Sequence, residues 1–150
     1  MITVRSFLVC DSAAVDARFQ TFSAFHIMEQ VQSASFPFLI PRMCIVVTLD
    51  RDDANDTASP LISVRATLGE QEVFTSPMQL VFDERNIART VADIYNLPII
   101  APGNLRLGLT VEGQELSAWK IQILNVGTPR VETHPVAAPT ADPQAAPQPA

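Results

Sequence analysis

Three groups of residues in this chain have side chains that could do chemistry. The first is Cys10, Cys44 and His26. A cysteine nucleophile needs a histidine within hydrogen-bond reach to hold its thiolate, and His26 is the only histidine upstream of the proline-rich end. If the first three apolar segments run as an up-and-down meander, Cys10 ends one strand and Cys44 begins another running the same way. An offset of about seven residues is then ~20 Å along a strand, far beyond the ~7 Å limit between the Cα atoms of a disulfide. The two thiols are therefore expected neither to pair nor to share a metal, and each to behave as a small buried hydrophobe. Zinc takes three or four protein ligands, so His26 reads as a core or partner-facing residue and His134 as a solvated one.

The second group is the run Asp50-Arg51-Asp52-Asp53-Ala54-Asn55-Asp56, in which Asp50, Asp52, Asp53, Asn55 and Asp56 offer oxygen ligands of the kind calcium favours. An EF-hand loop starting at Asp50 would need glycine where Asn55 stands and glutamate where Leu61 stands, so that pattern fails. A solvated hairpin loop is the plain reading, and capture of calcium or a sugar is the alternative. The third group is aromatic. Trp119 would suit a carbohydrate platform, but it alternates with Ile121 and Ile123 and so points inward. No pair of carboxylates can be placed across a cleft for acid/base work, and five glycines leave little room for a phosphate loop. The expectation is therefore no catalytic residue, no cofactor and no enzyme activity, with a cysteine/histidine enzyme as the weakest of the readings.

The elements that would position these residues read as strands. Leu105, Leu107, Leu109 and Val111 alternate with Arg106, Gly108, Thr110 and Glu112; after a turn at Glu112-Gly113, Trp119, Ile121 and Ile123 return against Lys120 and Gln122. That is a half-buried hairpin with an inside and an outside. A second hairpin pairs Ile62, Val64, Ala66 and Leu68 with the strand opening at Glu72-Val73-Phe74, turning at Gly69-Glu70. Met78 to Phe82 reads as a further strand. In Arg85 to Leu97, which holds Tyr95, helical spacing of Ile87, Val91 and Ile94 competes with alternation of Thr90, Ala92 and Ile94, and strand is favoured.

The N-terminal third differs in kind. Between Phe19 and Val31 one face would carry Phe19, Phe25, Ile27 and Val31 and the other Phe22, Ala24, His26 and Met28. The strand from Met43 to Leu49 sets Met43, Ile45, Val47 and Leu49 against Cys44 and Val46, and the first strand sets Phe7 and Val9 against Leu8 and Cys10. A strand in a two-layer sandwich buries one face only, so a second apolar face needs a cover, from the chain itself or from another protein. Phe22, Phe25, Ile27, Met28 and Val46 are the candidate interface on this reasoning.

Composition bounds the rest. The 150 residues fit one domain, nearly half of them apolar, which is too hydrophobic for intrinsic disorder. The net charge of −6 rests on sixteen acids against nine arginines and one lysine, with no basic block. This argues against nucleic acid and against anionic membranes as partners. No secretory leader or membrane span is read, and two unpaired cysteines suit the cytoplasm. Half of the twelve prolines fall between Gly127 and Ala150, so that segment is expected to be a disordered, extended Pro/Ala-rich tail.

With the strands placed, three stretches carry a likeness: Leu8-Val9-Cys10-Asp11; Phe36-Pro37 ahead of the strand from Met43 to Leu49; and Leu97-Pro98 leading to Pro102-Gly103-Asn104-Leu105 and Val111-Glu112-Gly113. Through them the chain resembles an uncharacterised bacterial family of small β-sandwich proteins, a domain of unknown function. The resemblance implies a fold and supplies no catalytic residue. The expectation from sequence is thus all-β: a single antiparallel β-sandwich of about seven or eight strands over residues 1–126, followed by the tail over 127–150. Its expected role is a non-catalytic protein-interaction or structural module that self-associates or binds another protein.

Overall fold

A computed structural model describes residues 1–18, 21–53 and 59–127. Among these the secondary structure is all strand, in nine segments: β1 (Ile2–Asp16), β2 (Thr21–Ile27), β3 (Gln30–Ser33), β4 (Phe38–Arg51), β5 (Ile62–Leu68), β6 (Gln71–Met78), β7 (Ile87–Ile99), β8 (Gly103–Val111) and β9 (Gln114–Asn125). They form two sheets, β2-β1-β4-β7 and β3-β9-β8-β5-β6. The apolar faces of both meet in one core that includes Val9, Met43, Ile45, Val47 and Leu49 from the first sheet and Val64, Leu105, Leu107, Leu109, Ile121 and Ile123 from the second. Full burial of each such side chain is worth about 1.5–3 kcal/mol.

The two hairpins read from alternation are present, and their turns follow from residue type. Glu112 and Gly113 both have positive φ, 48° and 83°, as the I′ turn between antiparallel strands requires. Gly69, at φ 61°, takes the first central position between β5 and β6, where glycine accepts the left-handed conformation without a Cβ clash. The segment with competing helical and strand periodicities is strand β7, paired along its length with β4. The two-residue alternation prevails because it lays Ala88, Ala92 and Ile94 against the core along the ladder with β4.

Five expectations are corrected. The sandwich is not wholly antiparallel, because β3 pairs in parallel with β9, and among the described residues the strands number nine rather than seven or eight. The segment from Phe19 to Val31 is two strands: the chain leaves the first sheet after Ile27 and joins the second at Gln30. Met28 and Glu29 make the crossing, with the Met28 amide donating to Val9 O at 2.8 Å and Glu29 O accepting from the Gln122 amide at 2.9 Å. The stretch after Met78 leaves the ladder, yet Leu80 and Phe82 stay buried in the core. The first three segments do not form a meander, since β1 lies between β2 and β4. The tail from residue 128 onward, with His134, lies outside the described residues, as do Phe19, Asn55 and Asp56.

The face that β4 and β7 bury switches along their length. Ile40, Leu97 and Ile99 belong to the core at one end, whereas Met43, Ile45 and Ala92 do so farther along, on the opposite alternation. The switch falls between the register pairs Ile40–Leu97 and Arg42–Tyr95, where Pro41 faces Asn96. Asn96 has φ 54°, a left-handed conformation that asparagine tolerates better than other residues with a Cβ, and proline brings no N–H to lose from the ladder.

Candidate functional site

The sequence-derived interface residues lie around the β1–β2 hairpin at one edge of the first sheet, and the structure separates them. Phe25 and Ile27 are 51% exposed each, and Val15, the cross-strand partner of Phe22 near the turn, is exposed as well. Phe22 is half-buried and belongs to a second, smaller apolar cluster with Cys10, Cys44, Val46, Leu8, Ala13, Ala24 and Val91. The Arg89 guanidinium stands 5.9 Å from the Phe22 ring centroid, within cation–π range. Val46 is only 3% exposed, so its cover comes from this chain and it offers no surface to a partner. Met28 packs partly buried against the main core, and its carbonyl accepts a 2.7 Å hydrogen bond from the Trp119 indole. Trp119 thus points inward with its one polar atom satisfied. The free surface of the group is Phe25 and Ile27.

The acidic run is partly committed elsewhere. Asp50 lies in β4, and its Oδ2 accepts from Arg5 Nε at 2.7 Å; the Asp52 amide donates to Met1 O. Two of the five oxygen donors, Asn55 and Asp56, fall outside the described residues, so the ligand set cannot be assembled from the structure. Among the described residues no three His, Cys, Asp or Glu side chains stand together in a way that would hold a metal. His26 is exposed on β2, at φ 53°, with Nδ1 3.7 Å from Asp11 Oδ2; of the two readings from sequence, core or partner-facing, this removes the core one. Tyr95, unplaced by sequence, is exposed on β7.

The cysteines give the largest departure. Because β1 runs antiparallel to β4, Cys10 and Cys44 are direct register partners rather than some 20 Å apart. Both are free and fully buried. The Cys10 thiol donates to Ser12 O at 3.2 Å and lies 3.7 Å from Cys44 O. Burial raises the Cys10 pKa, against lowering by hydrogen bonds to the Cys44 side chain and the Phe25 backbone. Burial, then the neighbouring Cys10 and Asp93, push the Cys44 thiol up to about 12. Neither is a ready thiolate at neutral pH. The meander assumption hid this pairing; the signal available was that both cysteines occupy the minor apolar face of their strands, which places them on one face if the strands are neighbours.

The order β1-β4-β7 against β9-β8-β5, with a short strand parallel to the last one, is the A-B-E against G-F-C arrangement of immunoglobulin-like sandwiches. The domain is therefore an all-β, two-sheet protein whose strand order resembles that of immunoglobulin-like sandwiches. Over residues 5–124 the chain belongs to DUF6941, a family of unknown function. No curated protein matches it. Among solved structures it is similar to the Pseudomonas fluorescens alkylpurine DNA glycosylase AlkC bound to DNA containing an abasic site analog, with a TM-score of 0.51 and 8% identity over 81% of this chain and 30% of that one. It also matches a β-glucosidase from Listeria innocua in complex with isofagomine, with a TM-score of 0.40 and 9% identity over 79% of this chain and 16% of that one. The chain thus spans under a third of either protein, and the likeness to AlkC concerns the fold alone.

Proposed function

We propose that this domain is a non-catalytic interaction module that binds a second copy of itself through the β1–β2 hairpin. The observation that carries the reading is the pair Phe25 and Ile27, each half-exposed on a strand that is hydrogen-bonded to β1 on one side and, among the described residues, forms the edge of its sheet on the other. An open edge strand is a template for further pairing. A second copy fits it because a two-fold contact sets the same apolar pair and the same open edge against each other, so both sides gain equally. A net charge of −6 on each copy opposes the contact at low salt, so association is expected to strengthen as salt rises. The same acidic balance favours neither nucleic acid nor an anionic membrane as partner, and two free thiols suit the cytoplasm.

Light scattering of the full chain across a dilution series tests this. The expected result is a mass rising towards twice the monomer with concentration, and Phe25→Glu holding the chain monomeric with the melting temperature of dilute, monomeric wild type. A monomer at every concentration and salt would end the reading.

A further inference from the structure

We propose that Cys10 and Cys44 form a site of oxidative modification, at which a hydroperoxide converts the two facing thiols into one intramolecular disulfide that ties β1 to β4. Three observations carry it. The residues are direct partners in an antiparallel ladder, where Cα atoms stand about 4.5–5.5 Å apart, inside the roughly 4.4–6.8 Å span of disulfides. The Cys10 thiol reaches to 3.7 Å from the Cys44 carbonyl oxygen, and as direct cross-strand partners the two side chains leave the same face of the sheet. That space is not the main core: it is the small cluster on the other face of the first sheet, whose cover of Phe22 and Ala24 belongs to an edge strand and is itself only half-buried. A thiol pair sealed in the main core would need global unfolding to react; this one needs only β2 to lift.

The step balances. Cys10, the thiol on the strand that pairs directly with β2 and is uncovered when β2 lifts, gives up its proton, and its sulfur attacks the hydroperoxide, releasing an alcohol and leaving a sulfenic acid. Cys44 then loses its proton and attacks the Cys10 sulfur; the S–S bond forms as the S–O bond breaks, and the departing hydroxide takes the proton as water. Two thiols and one hydroperoxide yield one disulfide, one alcohol and one water. The Cys10 charge that opposes ionisation of Cys44 is gone once Cys10 is a sulfenic acid, so the second step is easier than the first. A thiol reductant reverses the bond by exchange. This chemistry is independent of whether the domain self-associates.

The test is hydrogen peroxide treatment of the full chain, alone and in sub-denaturing urea that frees β2, followed by intact mass and peptide mapping without reductant. The expected product is a monomer about 2 Da lighter, with both thiols lost, a peptide linking residues 10 and 44, and a melting temperature higher by about 5–10 °C, all reversed by dithiothreitol. Cys10→Ala should instead give oxygen adducts or an intermolecular disulfide at Cys44. Wild-type chain that keeps both thiols in both conditions, or gains oxygen without the link, overturns the proposal; since it needs no variant to fold, the outcome stands on the native protein.

Discussion

The outer faces of the two sheets differ in what fills their middle rows. On the β9-β8-β5-β6 sheet the outward row is charged: Arg106 bonds Glu115, with Nη1 to Oε2 at 3.0 Å, and Arg65 meets Glu72 at 3.2 Å, all four side chains well exposed. On the β2-β1-β4-β7 sheet the outward row of β4 is ion-paired towards its ends, Arg42 with Asp93 and Asp50 with Arg5, but in its middle Cys44 and Val46 are buried although, among the described residues, no third layer of secondary structure covers them. Their cover is local, from Leu8, Ala13, Phe22, Ala24 and Val91, with Arg89 laid over the Phe22 ring. A sheet can therefore bury both faces without a third layer if its edge hairpin coils over it. The residue of that arrangement is Phe25 and Ile27, which the same coiling turns outward.

The comparison breaks most sharply under an added charge. Val46→Asp places a carboxylate with no partner in the covered row and is expected to cost more than about 3 kcal/mol, while Lys120→Gln on the charged face should change stability by no more than about 0.5 kcal/mol. Urea unfolding of both variants measures the contrast. Equal small effects would mean that the cover over Val46 opens freely to water.

Alkaline pH separates the faces next. The folded Cys44 thiol stays protonated up to about 12, against 9.0 for an ordinary thiol, so between those values the unfolded chain sheds a proton that the folded chain keeps. A raised folded pKa gives stability that is whole below about pH 9 and is lost as pH rises through the folded value, at up to about 1.4 kcal/mol per unit. Cys44→Ala should flatten that alkaline slope. An unchanged slope in denaturant melts from pH 8 to 11 would show that the thiol is hydrated.

How much of this was readable before folding depended on whether an element pairs with its sequence neighbour. The β8–β9 hairpin and the inward Trp119 are local, set by two-residue alternation and a turn at Glu112-Gly113, and the structure keeps them unchanged. The pairing of Cys10 with Cys44 is non-local. It depends on β4 passing β2 to lie against β1, and alternation carries no information about which strand lies beside which. The two-faced apolar pattern around Val46 did signal a need for cover but could not say that the chain supplies it. The apparent continuity from Phe19 to Val31 concealed a change of sheet at Met28, because a chain that crosses between layers presents apolar residues to each in turn.

The smallest effect lies on the charged face. Arg106 holds the Glu115 carboxyl below the ordinary glutamate range, first through their hydrogen bonds and then through its charge, with Arg65 adding to it. A depressed folded pKa gives stability that is present above the unfolded glutamate pKa and lost as pH falls through the folded one. Both side chains are more than two-fifths exposed, so solvent screening limits the pair to less than about 1 kcal/mol. Glu115 reaches Arg106 by lying across Gly108, where a Cβ would meet Glu115 Oε2 and the Arg106 guanidinium. Gly108→Ala should therefore push the carboxylate aside and reproduce Arg106→Gln: a slightly lower melting temperature at pH 7 and a weaker fall between pH 5 and 3. If Gly108→Ala melts like the wild type at both ends of that range, the flexible end of Glu115 has simply shifted and kept its partner.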